Sequence, residues 1–248
     1  MTLVLATTTP GEAEVFASVQ GEGPSAGVPC TFMRLSRCNL ACVWCDTAYT
    51  WHFDGDNRPH RGGETFARAP NQLRMDETNV ADLIASLGQQ RLVITGGEPL
   101  LQAPALTLVL QLLQSRLPHL FVEVESNGTT KAPPELDTLI GQYNISPKLS
   151  HSGNPADLAL IPERLSSYAA DPRAWFKFVV ATPDDVAEAA ALVEQHAIPP
   201  DKVFLMPEGT DSATIRQREE WLVPLCLDHG FRLSDRLHIH LFGDERGT

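Results

Sequence analysis

Basic residues are scarce in this sequence: 19 Lys and Arg stand against 31 Asp and Glu, a formal net charge of -12. Gripping a nucleic-acid backbone depends mainly on cationic side chains, so direct nucleic-acid binding is not expected. Long apolar runs are missing too. The longest, Leu106–Leu113, is interrupted by Thr107 and Gln111 and falls short of the roughly 18 residues of a membrane span; it reads as a buried helix face. Met1–Gly11 has neither Lys nor Arg, nor a continuous apolar stretch before a small-residue cleavage site. No secretory signal is therefore expected, and the cytoplasm is the default compartment. With 43% hydrophobic and 20% charged residues, collagen-like, coiled-coil and disordered chains are excluded. A chain of 248 residues can bury a core without disulfides, and a single domain over 1–248 is expected.

Short β-branched or aromatic runs alternate with longer amphipathic ones. Thr31–Leu35, Arg91–Thr95, His119–Glu125, Tyr143–Ser146, Trp175–Val180, Lys202–Met206 and Leu237–Leu241 read as strands. Val80–Gln89 with Asn79 as N-cap, Ala105–Arg116 behind Pro104, and Asp184–His196 behind Pro183 read as helices. Ala213–His229 reads as a long helix opened by Asp211 or Ser212, which Pro224 should kink or interrupt. Such alternation predicts an α/β fold with a mostly parallel sheet. The length is short for a full eight-fold barrel. His52–Asp76 lacks periodicity and holds Asp54, Gly55, Asn57, Pro59, Gly62 and Gly63, so it reads as a long insertion loop of the kind that often forms a lid. In α/β sheets chemistry gathers at the carboxyl ends of the strands, where the main cysteine cluster and the turn Thr95–Pro99 both fall. His238 and His240 alternate along the last strand-like segment and should face one side in a structural role; Trp175 and Phe178 read as core.

Of five cysteines, Cys38, Cys42 and Cys45 form C-x3-C-x2-C. Three thiolates this close can converge on one metal centre. A zinc site with His52 or His60 as fourth ligand is one reading, although structural zinc usually pairs two short ligand arms and no second arm is present. A four-iron cluster is the other; three cysteines then leave one iron open to a small molecule. Cys30 and Cys226 fall outside the pattern and read as buried structural thiols.

Trp44 stands just before the third cysteine, and Gly96-Gly97-Glu98-Pro99 follows Leu92-Val93-Ile94-Thr95. Together with the cysteines these resemble the radical S-adenosylmethionine superfamily. Upstream lie Gln20-Gly21-Glu22-Gly23 and, four residues before the first cysteine, Arg34; downstream lie Asp46-Thr47, Glu125-Ser126-Asn127-Gly128-Thr129, Ser146-Pro147-Lys148 and Met206-Pro207-Glu208-Gly209. This set resembles the 7-carboxy-7-deazaguanine synthase family from about Phe16 to the C-terminus.

The resemblance implies a partial, trimmed (β/α)6-type radical SAM barrel. It implies a lyase that contracts the ring of 6-carboxy-5,6,7,8-tetrahydropterin to 7-carboxy-7-deazaguanine with loss of ammonia, in queuosine or 7-deazapurine biosynthesis. A radical formed from S-adenosylmethionine takes the hydrogen at C6 and later returns it. Cys38, Cys42 and Cys45 would hold the 4Fe-4S cluster and Thr47 a magnesium ion, a hard cation content with few protein ligands. Val19, Gln20, Gly21, Glu22, Arg34 and Thr95 would bind substrate; Gln20 and Glu22 suit a pterin edge, and Arg34 can fork onto a carboxylate. Trp44, Asp46, Gly97, Glu98, Glu125, Ser146, Pro147, Lys148 and Met206 would border S-adenosylmethionine. A flavodoxin or ferredoxin as electron donor and a homodimer are further implications, and in some relatives the C-terminal carboxylate, here that of Thr248, meets substrate. Another enzyme of the superfamily, such as a glycyl-radical activase, is the alternative, but it has no reason to carry Gln20, Glu22 and Arg34.

Overall fold

Along Arg91–Gly96, Leu92 and Ile94 face one way and enter the main apolar core, whereas Arg91 and Thr95 face the other way and make polar contacts. The computed structural model describes residues 1–248 and sets this strand in a ten-stranded sheet. The strands are β1 (Thr2–Ala6), β2 (Val15–Val19), β3 (Pro29–Leu35), β4 (Gln72–Asp76), β5 (Arg91–Gly96), β6 (Phe121–Ser126), β7 (Gln142–Ile145), β8 (Ala174–Val180), β9 (Val203–Pro207) and β10 (Arg232–Leu233). From β3 through β5, β6, β7, β8 and β9 to the short β10, every neighbouring pair is parallel. Six full-length parallel strands are what a trimmed barrel requires. β1, β2 and β4 add an antiparallel flank beside β3.

The outer face of the parallel strands carries Val122, Val124, Tyr143, Ile145, Phe176, Phe178 and Leu205, all in the main core against the helices. The inner face is polar: buried Glu123 receives Arg91 at 2.6 Å and Gln20 at 3.0 Å, with Asn144 on the same oxygen as Gln20. Glu123 thus stays buried because its lone pairs are filled. The sheet does not close on itself. The segment after β2 crosses the open side instead, with Leu237 N–H on the Gly21 carbonyl at 2.9 Å and Gly23 N–H on Ser234 Oγ at 2.9 Å.

Several expectations change. Gln72–Asp76, read as loop, is β4, whose register with β1 runs from Ala6↔Gln72 to Thr2↔Asp76, so the loop ends earlier. The N-cap of Glu77–Ser86 is Asp76, which accepts from Thr78 N–H and from Asn79 N–H; Asn79 is already inside the helix. Ser212–His229 runs through Pro224 unbroken from its Asp211 cap. Pro224 is exposed, so the carbonyl it leaves unpaired one turn earlier can face water. Leu237–Phe242 is a helix and not a strand. His238 and His240, two apart on a helix, therefore diverge: His240 bonds Ser212 Oγ and Asp235 Oδ1, whereas His238 turns to Glu22. Phe178 is fully buried, while Trp175 is only half-buried, beneath the Lys202 ammonium 3.8 Å from its ring. Cys30 and Cys226 are buried, as expected.

Candidate active site

The loop after β3 carries the three cysteines, all free, into one wall of a cavity of about 400 Å³ at the carboxyl ends of the parallel strands. Each sulfur has an N–H neighbour. Asn127 Nδ2 lies 3.9 Å from Cys38 Sγ, Asn154 Nδ2 3.3 Å from Cys42 Sγ, and Trp51 Nε1 3.3 Å from Cys45 Sγ. Burial pushes the Cys38 thiol up to about 12 and the Cys45 thiol up to about 11, so ionisation needs a compensating charge such as a metal centre supplies. The zinc reading fares worse. His60 Nε2 meets the Cys45 carbonyl at 2.9 Å, and no three His, Cys, Asp or Glu side chains converge as a single-ion site. A three-thiolate wall facing an open cavity fits a larger iron–sulfur cluster with one free iron.

The Gly96-Gly97-Glu98-Pro99 turn is strapped to the same loop. Gly97 N–H donates to the Leu35 carbonyl at 3.0 Å and Glu98 N–H to the Arg37 carbonyl at 2.9 Å. A Cβ on Gly97 would sit 2.1 Å from the Arg37 carbonyl oxygen and 3.0 Å from the Cys38 Cβ, so only glycine allows this approach. Gly97→Ala is expected to displace the first cysteine, lowering both the unfolding midpoint and the iron content of reconstituted protein. Wild-type iron loading in that variant would contradict the reading.

Glu98 was expected at the cofactor but does not line the cavity. Its fully buried carboxylate accepts from Leu100 N–H, Ser126 Oγ and Asn127 N–H, and burial pushes it up to about 7. It staples the turn to the end of β6 from behind. Pro147 likewise lies outside the lining, between Ser146 and Lys148, which are within it. The other expected residues all border the cavity.

On the substrate side of the expected site, Gln20 is buried and its amide N–H₂ already bonds Glu123 and Glu125, at 3.0 and 3.1 Å. Thr95 Oγ1 donates to the other Glu125 oxygen at 2.8 Å. Arg34 is held by Nε on Glu14 Oε1 at 2.7 Å, and Tyr49 Oη fixes the same carboxylate at 2.9 Å. Neither Nη of Arg34 has a protein partner, so its fork is free for an anion. Trp44 stacks on His151 with ring centroids 5.5 Å apart; Lys148 donates to Ser146 Oγ at 2.7 Å.

Sequence reasoning missed the clamp that unites the two halves. Buried Arg236, just before the last helix, meets Glu22 Oε1 at 3.0 Å, Asp46 Oδ2 at 2.5 Å and the Gly209 carbonyl. Lys177 holds the second oxygen of Glu22. Burial alone would raise the Glu22 carboxyl, but Lys177, then Arg236 and His238, hold it well below the usual carboxylate range. Glu14, Asn154 and Lys177 were missed as well, because nothing local marks them.

The Radical SAM superfamily model matches residues 34–207. A 7-carboxy-7-deazaguanine synthase from Pyrobaculum aerophilum is 37% identical over 240 residues, covering 94% of this chain and 95% of the relative. The chain belongs to the 7-carboxy-7-deazaguanine synthase family. A second synthase of that name, from Hyperthermus butylicus, is 35% identical over 230 residues, 91% of this chain and 90% of its own. The crystal structure of QueE from Escherichia coli matches with a TM-score of 0.64 and 24% identity over 95% of each chain, which shows the fold. Membership of the synthase family brings a radical SAM fold, an iron–sulfur cluster and S-adenosylmethionine, and leaves the glycyl-radical activase unfavoured. No helix is long and apolar enough to cross a membrane.

Proposed function

We infer that this chain converts 6-carboxy-5,6,7,8-tetrahydropterin to 7-carboxy-7-deazaguanine and ammonia. The observation that carries this is the joint lining of one cavity by three free thiols, the glycine turn and Arg34 with an unpartnered fork. When bound, the cluster and S-adenosylmethionine supply an electron and a carbon-centred radical able to remove and return one hydrogen atom. Substrate contains the same atoms as product plus ammonia, so no net oxidant is needed and a borrowed, returned hydrogen suffices. Arg34 would grip the substrate carboxylate, its direction fixed by Glu14 behind it. Glu22, kept ionised by Lys177 and Arg236, would accept N–H groups of the pterin, and Thr95 would meet the ring from its strand end. Glu125, expected beside S-adenosylmethionine, bonds Gln20 and Thr95 and would therefore join them on the substrate side. Trp44, Asp46, Gly97, Ser146, Lys148 and Met206 would bound the S-adenosylmethionine side. The apolar walls Phe16 and Phe32, stacked at 5.3 Å, help keep water from a radical.

Thr47 is the proposed protein ligand of magnesium, with substrate oxygens and water completing the shell. A Thr47→Ala variant is expected to keep its cluster while the magnesium response of turnover changes; an unchanged response would remove Thr47 from that role. A flavodoxin or ferredoxin as donor, a homodimer and a cytoplasmic location complete the proposal. The test is anaerobic incubation of reconstituted protein with the carboxypterin, S-adenosylmethionine, magnesium and dithionite. Formation of 7-carboxy-7-deazaguanine is expected. Its absence from protein carrying a full, reducible cluster would overturn the reading.

A further inference from the structure

Cys45 is the most heavily bonded of the three cysteines. Besides Trp51 Nε1 at 3.3 Å, its sulfur has Thr47 Oγ1 at 3.6 Å, and its carbonyl meets His60 Nε2 at 2.9 Å. The Trp51 indole has no other acceptor, and the residue is 5% exposed, so water does not compete for the N–H. Much of what holds that ring comes from the insertion. The Arg58 guanidinium lies 4.8 Å above it, and the rings of His52 and His60 pack at 4.9 and 6.3 Å. The insertion in turn docks on the cysteine loop through Arg61 N–H on the Val43 carbonyl at 2.7 Å.

We infer that Trp51 tunes the iron–sulfur cluster through a hydrogen bond to the Cys45 sulfur, and that the insertion after it serves to hold the indole there. This rests on the proposed cluster ligation. A reduced cluster is more negative than an oxidised one, so an N–H aimed at its thiolate sulfur favours the reduced form and raises the potential. Low surrounding dielectric makes the effect larger than it would be in water. Asn154 on Cys42 makes the same kind of contact, but its N–H₂ is shared with Ser152 Oγ at 3.1 Å. Trp51 is the undivided donor.

The experiment is an EPR-monitored reductive titration of the full-length, reconstituted protein. Trp51→Phe removes the N–H and keeps a ring for Arg58. Replacing Trp51 by benzothienylalanine keeps the shape of the indole and removes only the N–H, which covers the case in which Phe fails to fold or load. At iron and sulfide contents equal to wild type, the midpoint potential is expected to move to more negative values in both. Arg58→Gln is expected to move it the same way by less. An unchanged potential in the benzothienylalanine protein would overturn the inference while leaving the proposed function standing. Wild-type protein unable to assemble any cluster would instead overturn the proposed function.

Discussion

Replacing Cys42 by alanine is expected to abolish product formation while leaving the fold in place. Cys42 is 7% exposed, and the change removes a single sulfur atom from a wall that faces the cavity. Asn154, its polar neighbour, keeps Ser152 Oγ at 3.1 Å and still caps Ala41 N–H through Oδ1 at 2.8 Å. The stability of the cluster-free protein should therefore change by no more than about 1.5 kcal/mol, the scale of small core truncations. The functional loss is of another order. With two of three thiolates left, the iron–sulfur centre loses its anchorage, and turnover should fall by more than about 10³-fold, over 4 kcal/mol in barrier terms. Iron and sulfide analysis, a denaturant titration and product chromatography read the three quantities separately. Cys226→Ala is the control: that thiol is buried in the helix Ser212–His229, away from the cavity, and its removal should leave iron content and turnover unchanged. Substantial product from the Cys42→Ala protein would contradict the assignment.

Arg236→Gln is expected to have the second largest effect. The guanidinium neutralises parts of Glu22 and Asp46 at once and donates to the Gly209 carbonyl, so three segments lose a common tie. Breaking a buried ion pair from one side typically costs about 3–5 kcal/mol, because a charge is left behind without its partner. Lys177 still meets Glu22 and Asp46 is open to water, so both carboxylates left behind are partly compensated and the loss falls at the low end of that range. If half of about 3 kcal/mol is expressed in the reacting complex, kcat/KM should fall by roughly tenfold. The pH dependence separates loss of charge control from general damage. In the native protein the Glu22 carboxyl lies well below its ordinary value of 4.5, with Lys177 and Arg236 outweighing the opposing effect of burial. A depressed carboxyl contributes stability that is present above 4.5 and is lost only as pH falls through the depressed value. Without Arg236 that value rises, so the acid limb of the pH–rate profile should shift to higher pH. Identical acid limbs in variant and wild type would show that Lys177 suffices to keep Glu22 ionised and that Arg236 is not needed for it.

Much of the frame was legible because the parallel strands are apolar on their outer face. Val122, Val124, Phe176 and Phe178 announce themselves as β-branched or aromatic runs, and the cysteine spacing with the glycine turn points to the chemistry. The polar inner layer was also in the sequence, as Arg91 and Thr95, Glu123 and Glu125, Gln142 and Asn144, each pair at a multiple of two along its strand. That alternation marks an interior that faces a cavity and not a second apolar layer. The other omissions have different causes. Asn154 reaches Cys42 across 112 positions and Arg236 reaches Asp46 across 190, distances over which one sequence carries no pairing signal. Gln72–Asp76 is a short edge strand with half-buried side chains, so its pattern is faint beside the glycine-rich loop before it. Leu237–Phe242 is too brief for its period to separate helix from strand, and the two histidines spaced by two tilted the reading the wrong way.

Isotope transfer from carboxypterin deuterated at C6 tests the ring-contraction reading most directly. The labelled substrate is incubated anaerobically with the loaded enzyme, and S-adenosylmethionine is recovered before the substrate is exhausted. Deuterium is expected in the 5′-methylene of that S-adenosylmethionine, together with 7-carboxy-7-deazaguanine and ammonia in equal amounts. Product formed with no deuterium ever reaching S-adenosylmethionine would contradict a hydrogen borrowed from C6 and returned within this cavity.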